Sequence, residues 1–308
     1  MSLGERFRGG KRVRKWITHI TSWRVALYAI LVGMVLFYLA PLESGFVTAF
    51  KTQAAFFAST PFVPPSPAGF TLEPWYQAWG QLQGPLGNVR GAIVNSLVLV
   101  IPATILSGFL GSLAGYGLTN LDWRGQTAVF LLFVAGVFIP YQSVLVPLTR
   151  FWTIVDMPSL LSAIPVLASR AELIELIITH TAYGIPICTI LFRSYYSNFD
   201  ERMLEAARLD GASAFRIYRR IILPLSTPMF AVVFIYQFTQ IWNDLLFALV
   251  LVSNPQNEVI TLALNKFQGS MVQQYNLQMA GAFIAAFPTL LIYILFGEQF
   301  AEGVTGET

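Results

Sequence analysis

Charge is scarce in this chain. Lys, Arg, Asp and Glu make up 11% of its 308 residues, less than half the roughly 25% of an average soluble protein. A chain that is 55% hydrophobic, with a mean hydropathy of +0.61, has too few polar groups to solvate the surface of a soluble domain. Cysteine occurs once, as Cys188 inside an apolar stretch, which excludes a disulfide framework and a cysteine-based metal site. The two histidines, His19 and His180, lie far apart with no ligand-type neighbours in sequence. No Gly-rich loop ends in Gly-Lys-Ser/Thr, so the chain lacks the cradle that holds nucleotide phosphates. An intramembrane enzyme needs paired carboxylates, a His-Glu cluster or a Ser/Lys pair at membrane depth. Only Asp244 is an acid placed to be there, so no catalytic residue and no metal ligand is assigned.

What the chain has is apolar sequence in long runs. Val25–Leu42 is close to the roughly 20 residues that a spanning helix needs, and it exceeds the core of a cleavable signal peptide. Five more runs follow, near Val89–Leu118, Thr127–Leu148, Leu176–Tyr196, Met229–Val252 and Leu277–Phe296. Between them lie a proline-rich, aromatic stretch at 43–88, a short turn at 120–126, a mixed segment Arg150–Glu175 and a polar loop at 253–276. The predicted fold is an all-α integral membrane protein of six transmembrane helices. Ser107, Gly111 and Gly115 repeat at four-residue spacing in the second span, a stripe on which another helix can pack closely.

Charge placement orients these spans. Seven basic residues crowd positions 1–24, one more is Arg124, and six lie between Arg193 and Arg220. Only Lys51, Arg90, Arg150, Arg170 and Lys266 fall in the other loops. The positive-inside rule therefore puts both termini in the cytoplasm of a multi-pass, cytoplasmic-membrane protein. A basic tail can also bind nucleic acid, but directly before a span it marks topology, and no nucleic acid is expected as a partner. The domain plan is a cytoplasmic tail at 1–24, a transmembrane domain at 25–297 and a short cytoplasmic tail at 298–308, with membrane lipids around the middle part.

The densest charge lies in Glu205–Pro224, EAARLDGASAFRIYRRIILP. Asp200, or Ser197 before it, can cap a first helix through Leu209, and Gly211 supplies the left-handed residue that ends it. Ser213 can cap a second helix carrying Arg216, Arg219 and Arg220, which is predicted to stop before Pro224. Ser226-Thr227-Pro228 then reads as the next helix start.

The order Glu205-Ala206-Ala207, three residues, Gly211, nine residues, Ile221-x-Leu223-Pro224 resembles the cytoplasmic Glu-Ala-Ala loop of permease subunits in binding-protein-dependent ABC importers. Pro41 through Phe50-Lys51, Asn95-Ser96, and Pro140 with Pro147 are also similar to those permeases, most of all to the maltose-type second permease of carbohydrate uptake systems. The resemblance implies an ABC type I importer permease fold with a coupling loop at 197–224. Glu205, Ala206, Ala207, Asp210, Gly211, Leu223 and Pro224 would then engage an ATPase groove. It implies a second related permease, two ABC ATPase subunits that bind the ATP and Mg, and an extracytoplasmic sugar-binding protein. No cofactor is expected on this chain. It departs from the family pattern in having Asp200 where a proline is usual, in the length of Arg150–Glu175, and in its ending, Gly303-Val304-Thr305-Gly306-Glu307-Thr308.

Gln237, Gln240, Asn243 and Asp244 share part of one face of the fifth span. Polar groups there are costly in hydrocarbon and should face protein or a watery path. Amides and a carboxylate suit sugar hydroxyls, which donate and accept, and Tyr236 or Trp242 can stack on a sugar ring. An equal reading makes them glue to the partner permease. QFTQIWNDLLFALV is similar to glucose-type permeases, which points to a monosaccharide such as glucose. Alternatives are another polar solute, such as glycerol phosphate or an oligosaccharide, or a stand-alone secondary carrier.

Overall fold

The computed structural model describes residues 22–82, 91–268 and 274–305. The basic tail before position 22, the first residues expected of the second span, part of the 253–276 loop and the last three residues lie outside the described residues.

Long apolar runs give the long helices, each of which absorbs one internal proline, Pro41, Pro102, Pro186 or Pro288. These are α1 (Ser22–Thr48), then short α2 (Gln53–Ala58) and α3 (Glu73–Leu82), and α4 (Ala92–Gly117). After them come α5 (Gln126–Val137), α6 (Tyr141–Val155), two single turns α7 (Met157–Leu160) and α8 (Pro165–Ala168), and α9 (Ala171–Tyr196). The charged loop forms α10 (Glu201–Leu209) and α11 (Ala214–Ile217), the latter continuing as a π turn, Tyr218–Ile222, and a last turn, Leu223–Leu225. The chain ends with α12 (Thr227–Trp242), α13 (Leu246–Leu251), α14 (Ile260–Gln268) and α15 (Tyr275–Thr305).

The small-residue stripe is where the bundle closes. A Cβ on Gly111 would sit 2.3 Å from Cys188 Cβ, and one on Gly115 would sit 2.9 Å from Phe192 Cβ. Only glycine lets the α4 backbone come this near α9. Residue numbers rise together across these contacts, so α4 and α9 run parallel. The chain must therefore return between them, and α5 carries it back along α9, with Gly136 beside Pro186 and Phe130 under Arg193. Helix α12 runs antiparallel to α4, with Phe234 against Gly108 and the Gln237 amide donating to Ser107 Oγ at 3.0 Å. Helix α15 begins where α1 ends, because Asn276 Nδ2 donates to Lys51 O at 2.9 Å. Helix α1 buries none of its apolar window against the rest of the chain.

The chain thus passes along the bundle six times, but only four helices among the described residues, α1, α4, α9 and α15, are long and apolar enough to cross a membrane unbroken. The other two expected spans need correction. The third is bent by 101° between α5 and α6. Pro140 is the pivot rather than a feature near its far end, because it cannot donate to the preceding turn. The fifth begins with a 76° bend before Thr227 and stops at Trp242 instead of running to Val252. Asn243, Asp244 and Leu245 leave the helix there, and the Asp244 carboxylate caps α13 by accepting from Phe247 N–H at 3.1 Å.

Two further expectations are overturned. Arg150–Glu175 is not one connector between two spans, since α6 occupies its start and α9 already begins at Ala171. Glu172 is accommodated in α9 because its carboxylate accepts from the Ser253 hydroxyl at 2.6 Å and the Asn257 amide at 3.1 Å. Arg170 joins the same knot, donating to Asn95 Oδ1 at 2.9 Å and Gln256 O at 2.7 Å. The second loop helix also does not stop before Pro224. Leu223 N–H reaches back to Tyr218 O, five residues away, and this wider turn accommodates a proline that a regular α-turn would reject.

Candidate functional site

Two places gather the candidate side chains, one at the end of the α4–α9 pair and one at the α12 break. The first is the charged loop. Asp200 is the cap that forms, accepting from Arg202 N–H at 3.0 Å, while Ser197 bonds back to Ser194 O. Gly211 takes φ +75°, which favours glycine, and Ser213 Oγ accepts from Arg216 N–H at 3.4 Å.

The loop is bolted to the spans by buried hydroxyls. Ser112 Oγ on α4 lies 2.6 Å from Tyr196 OH on α9 and 2.9 Å from Tyr218 OH in the π turn. Tyr116 OH donates to Ala214 O at 3.0 Å, and Arg208 Nη2 to Asn120 O at 2.6 Å. Leu204 is buried beneath α10. Of the sequence-assigned loop residues, Glu205, Ala206, Asp210, Gly211 and Pro224 are exposed, whereas Ala207 and Leu223 are half-buried against the Phe192–Tyr196 cluster. The open side of α10 is therefore that of Glu205, Ala206 and Leu209, and Leu209 is 89% exposed. An apolar side chain held this far into solvent, with Phe215 66% exposed nearby in sequence, is suited to a partner surface.

The second place is a small, partly open cleft where α6, α9 and α12 meet. Gln237, Gln240 and Asp244 line it together with Tyr141, His180, Tyr183 and Tyr236. Asn243 does not line it; its amide folds back to Thr239 O at 2.8 Å. Gln237 is 3% exposed and tied to Ser107. It fits only because residue 184 is glycine, where a Cβ would lie 1.8 Å from the Gln237 Nε2. Its main work is thus to join α12 to α4. Gln240 Nε2 donates to Tyr236 OH at 3.0 Å. Trp242 turns away, stacked on Phe238 and donating to Ala285 O at 2.9 Å, so Tyr236 alone of the two aromatic candidates reaches the cleft.

Across the cleft, His180 Nε2 stands 3.5 Å from Asp244 Oδ2, with both side chains under 10% exposed. That nitrogen has no hydrogen-bond partner. The sequence reading missed His180, Tyr141 and Tyr183. An ionisable residue midway through an apolar run was the available signal for His180. Tyr141 enters the cleft only through the bend at Pro140, which hydropathy does not record.

Comparison with known proteins bears on both places. The family profile described as "Binding-protein-dependent transport system inner membrane component" matches residues 107–297, which include the loop and the cleft. A xylose/arabinose import permease protein of Haloferax volcanii is 48% identical over 309 residues, covering 97% of each chain. A probable ABC transporter permease protein of Pyrococcus horikoshii is 40% identical over 288 residues, 93% of this chain and 97% of its own. Among solved structures, a chain of a bacterial ABC transporter involved in the import of the acidic polysaccharide alginate superposes with a TM-score of 0.69 at 16% identity. It covers 89% of this chain and 95% of that one, and at such identity the likeness is one of fold.

Proposed function

The chain belongs to the family of binding-protein-dependent transport-system inner membrane components, multi-pass and non-catalytic permease subunits of ABC importers, and from that premise we propose that it carries a sugar inward as the maltose-type second permease of its complex. The observation that supports this reading most is the loop at 197–224, hard-wired to α4 and α9 by the Ser112–Tyr196–Tyr218 hydroxyls while offering Ala206 and Leu209 outward. Glu205, Ala206, Asp210, Gly211 and Pro224 would lie along the ATPase groove, with Ala207 and Leu223 holding the loop's shape from within.

In this reading both termini and the loop are cytoplasmic, the tails at 1–24 and 298–308 flank a permease domain at 25–297, and the Asn95–Arg170–Asn257 knot faces outside. A related permease packs beside the chain, two ATPase subunits sit below and a binding protein delivers substrate from outside. Closure of the ATPases around ATP pushes the loop, and the parallel α4–α9 pair moves with it because the hydroxyl ties leave little slack. Gln240 and Asp244 face the path, Gln237 holds its wall, and Asn243 lies at the seam with the partner permease.

The relative from H. volcanii supports a pentose such as xylose or arabinose as the cargo ahead of glucose. Another polar solute, an oligosaccharide among them, remains the second reading, favoured by the breadth of the fold. The test is to purify the complex with its binding protein and measure ATP hydrolysis with and without each sugar. Stimulation by a sugar-loaded binding protein is the expected result. ATP turnover indifferent to every sugar would remove the sugar assignment.

A further inference from the structure

We infer that the cleft at the α12 break is a contact point for an uncharged sugar on the transport path, read by His180 and Asp244 acting as a pair and closed by Asp244 to anionic sugars. This rests on the sugar-permease reading above. Three observations carry it.

The first is unmet hydrogen bonding. His180 is 6% exposed, yet its Nε2 has no hydrogen-bond partner, and the 3.5 Å gap to Asp244 Oδ2 is too long for a good bond. A buried polar group left unpaired forfeits the hydrogen bonds that water gave it. A hydroxyl placed between the imidazole and the carboxylate satisfies both, because it can donate and accept at once.

The second is the backbone. Asn243–Leu245 leaves the helix beside the cleft, and Asp244 is fixed at both ends: its carboxylate accepts from Phe247 N–H, and its carbonyl from Thr261 Oγ1 at 2.7 Å. Non-helical backbone at membrane depth is tolerated where it is covered by protein or lines a cavity. The pairing of a broken helix with a polar cleft is the pattern of a site, not of a packing fault.

The third is charge. No Lys or Arg lines the cleft, and these are the residues that bind carboxylates and phosphates. The acid that does line it repels them, since like charges brought together are unfavourable. At the start of α9, Arg170 is engaged by Asn95 and Gln256, and Glu172 by Ser253 and Asn257. Tyr141 and Tyr183 meet edge to face at 5.0 Å and both pack on Phe247, which holds their rings still as an apolar wall for the C–H face of a sugar.

The test uses the complete importer in lipid nanodiscs, without its binding protein, and saturation-transfer NMR with D-xylose, D-glucose and D-glucuronate as probes. Xylose is expected to bind at least tenfold more tightly than glucuronate. His180→Gln should weaken xylose about tenfold. Asp244→Asn keeps an oxygen to cap Phe247, so it should assemble, weaken xylose and raise glucuronate binding. Equal affinity for glucuronate and xylose in the wild type overturns the inference. So does xylose binding unchanged in both variants, loss of assembly in both, or no saturation transfer from any probe. The sugar-permease reading has its own readout, ATP-dependent uptake with the binding protein present; if uptake persists while any of these results is obtained, the contact point alone is lost.

Discussion

Leu209 offers a clean separation of docking from folding. Its side chain is 89% exposed, so the isolated permease gains little from it, and a surface change of this kind moves stability by about 0.5 kcal/mol at most. In the assembled importer the same side chain would be buried in an ATPase groove. Leu209→Ala removes three carbons, about 2 kcal/mol of burial at roughly 0.8 kcal/mol each, which corresponds to about 30-fold in affinity. Titrating labelled ATPase subunits onto the solubilised permease pair measures that loss, and thermal unfolding of the permease alone measures the fold. The expected result is about 30-fold weaker docking with an unchanged unfolding midpoint. Leu204→Ala is the internal contrast, because Leu204 is 3% exposed and its truncation should cost roughly 2–5 kcal/mol of folding stability. Wild-type docking by Leu209→Ala, or a drop in its unfolding midpoint as large as that of Leu204→Ala, refutes the assignment of the outward face of α10.

Gly111→Leu should prevent stable folding, since even a Cβ there would lie 2.3 Å from Cys188 Cβ; recovery of normal amounts of membrane-inserted protein in an expression assay would contradict the α4–α9 packing. Tyr218→Phe removes one hydroxyl from the tie to Ser112 and should raise the ATP hydrolysed per sugar transported several-fold while ATPase binding stays normal; an unchanged ratio would show that the tie transmits nothing. Cysteines at Ala68 and Gln256 in a Cys188→Ser background should react with an impermeant thiol reagent in intact cells, and one at Ser213 should not; the reverse pattern inverts the orientation.

The loop was legible in the sequence because its signals are local. Asp200, Gly211 and Ser213 each fix a helix end through their own backbone or side chain, and each does so in the structure. The Ser107–Gly111–Gly115 stripe was legible as a contact, though only the fold could name α9 and α12 as the partners. The breaks at Pro140 and at Asn243–Leu245 were not legible, because hydropathy averages over a window and both lie within apolar runs. Glu172 and Glu175 misled in the opposite direction: charge placed them outside a span, whereas partners far along the chain, Ser253 and Asn257, admit Glu172 to α9. His180 was hidden for the same reason. Its significance comes from Asp244 across the cleft, and no sequence neighbour announces that meeting.

The most direct measurement of the central claim is accumulation in proteoliposomes. The full importer is reconstituted with ATP and Mg inside those vesicles whose ATPases face inward, and radiolabelled xylose with the binding protein is supplied outside. The chain as described predicts that xylose is driven in the cytoplasmic direction above its external concentration only when ATP, the binding protein and both permeases are present, and that the Leu209→Ala complex lags in proportion to its weakened docking. Accumulation of xylose by this chain alone under a proton gradient, with no ATPase subunit present, would contradict it.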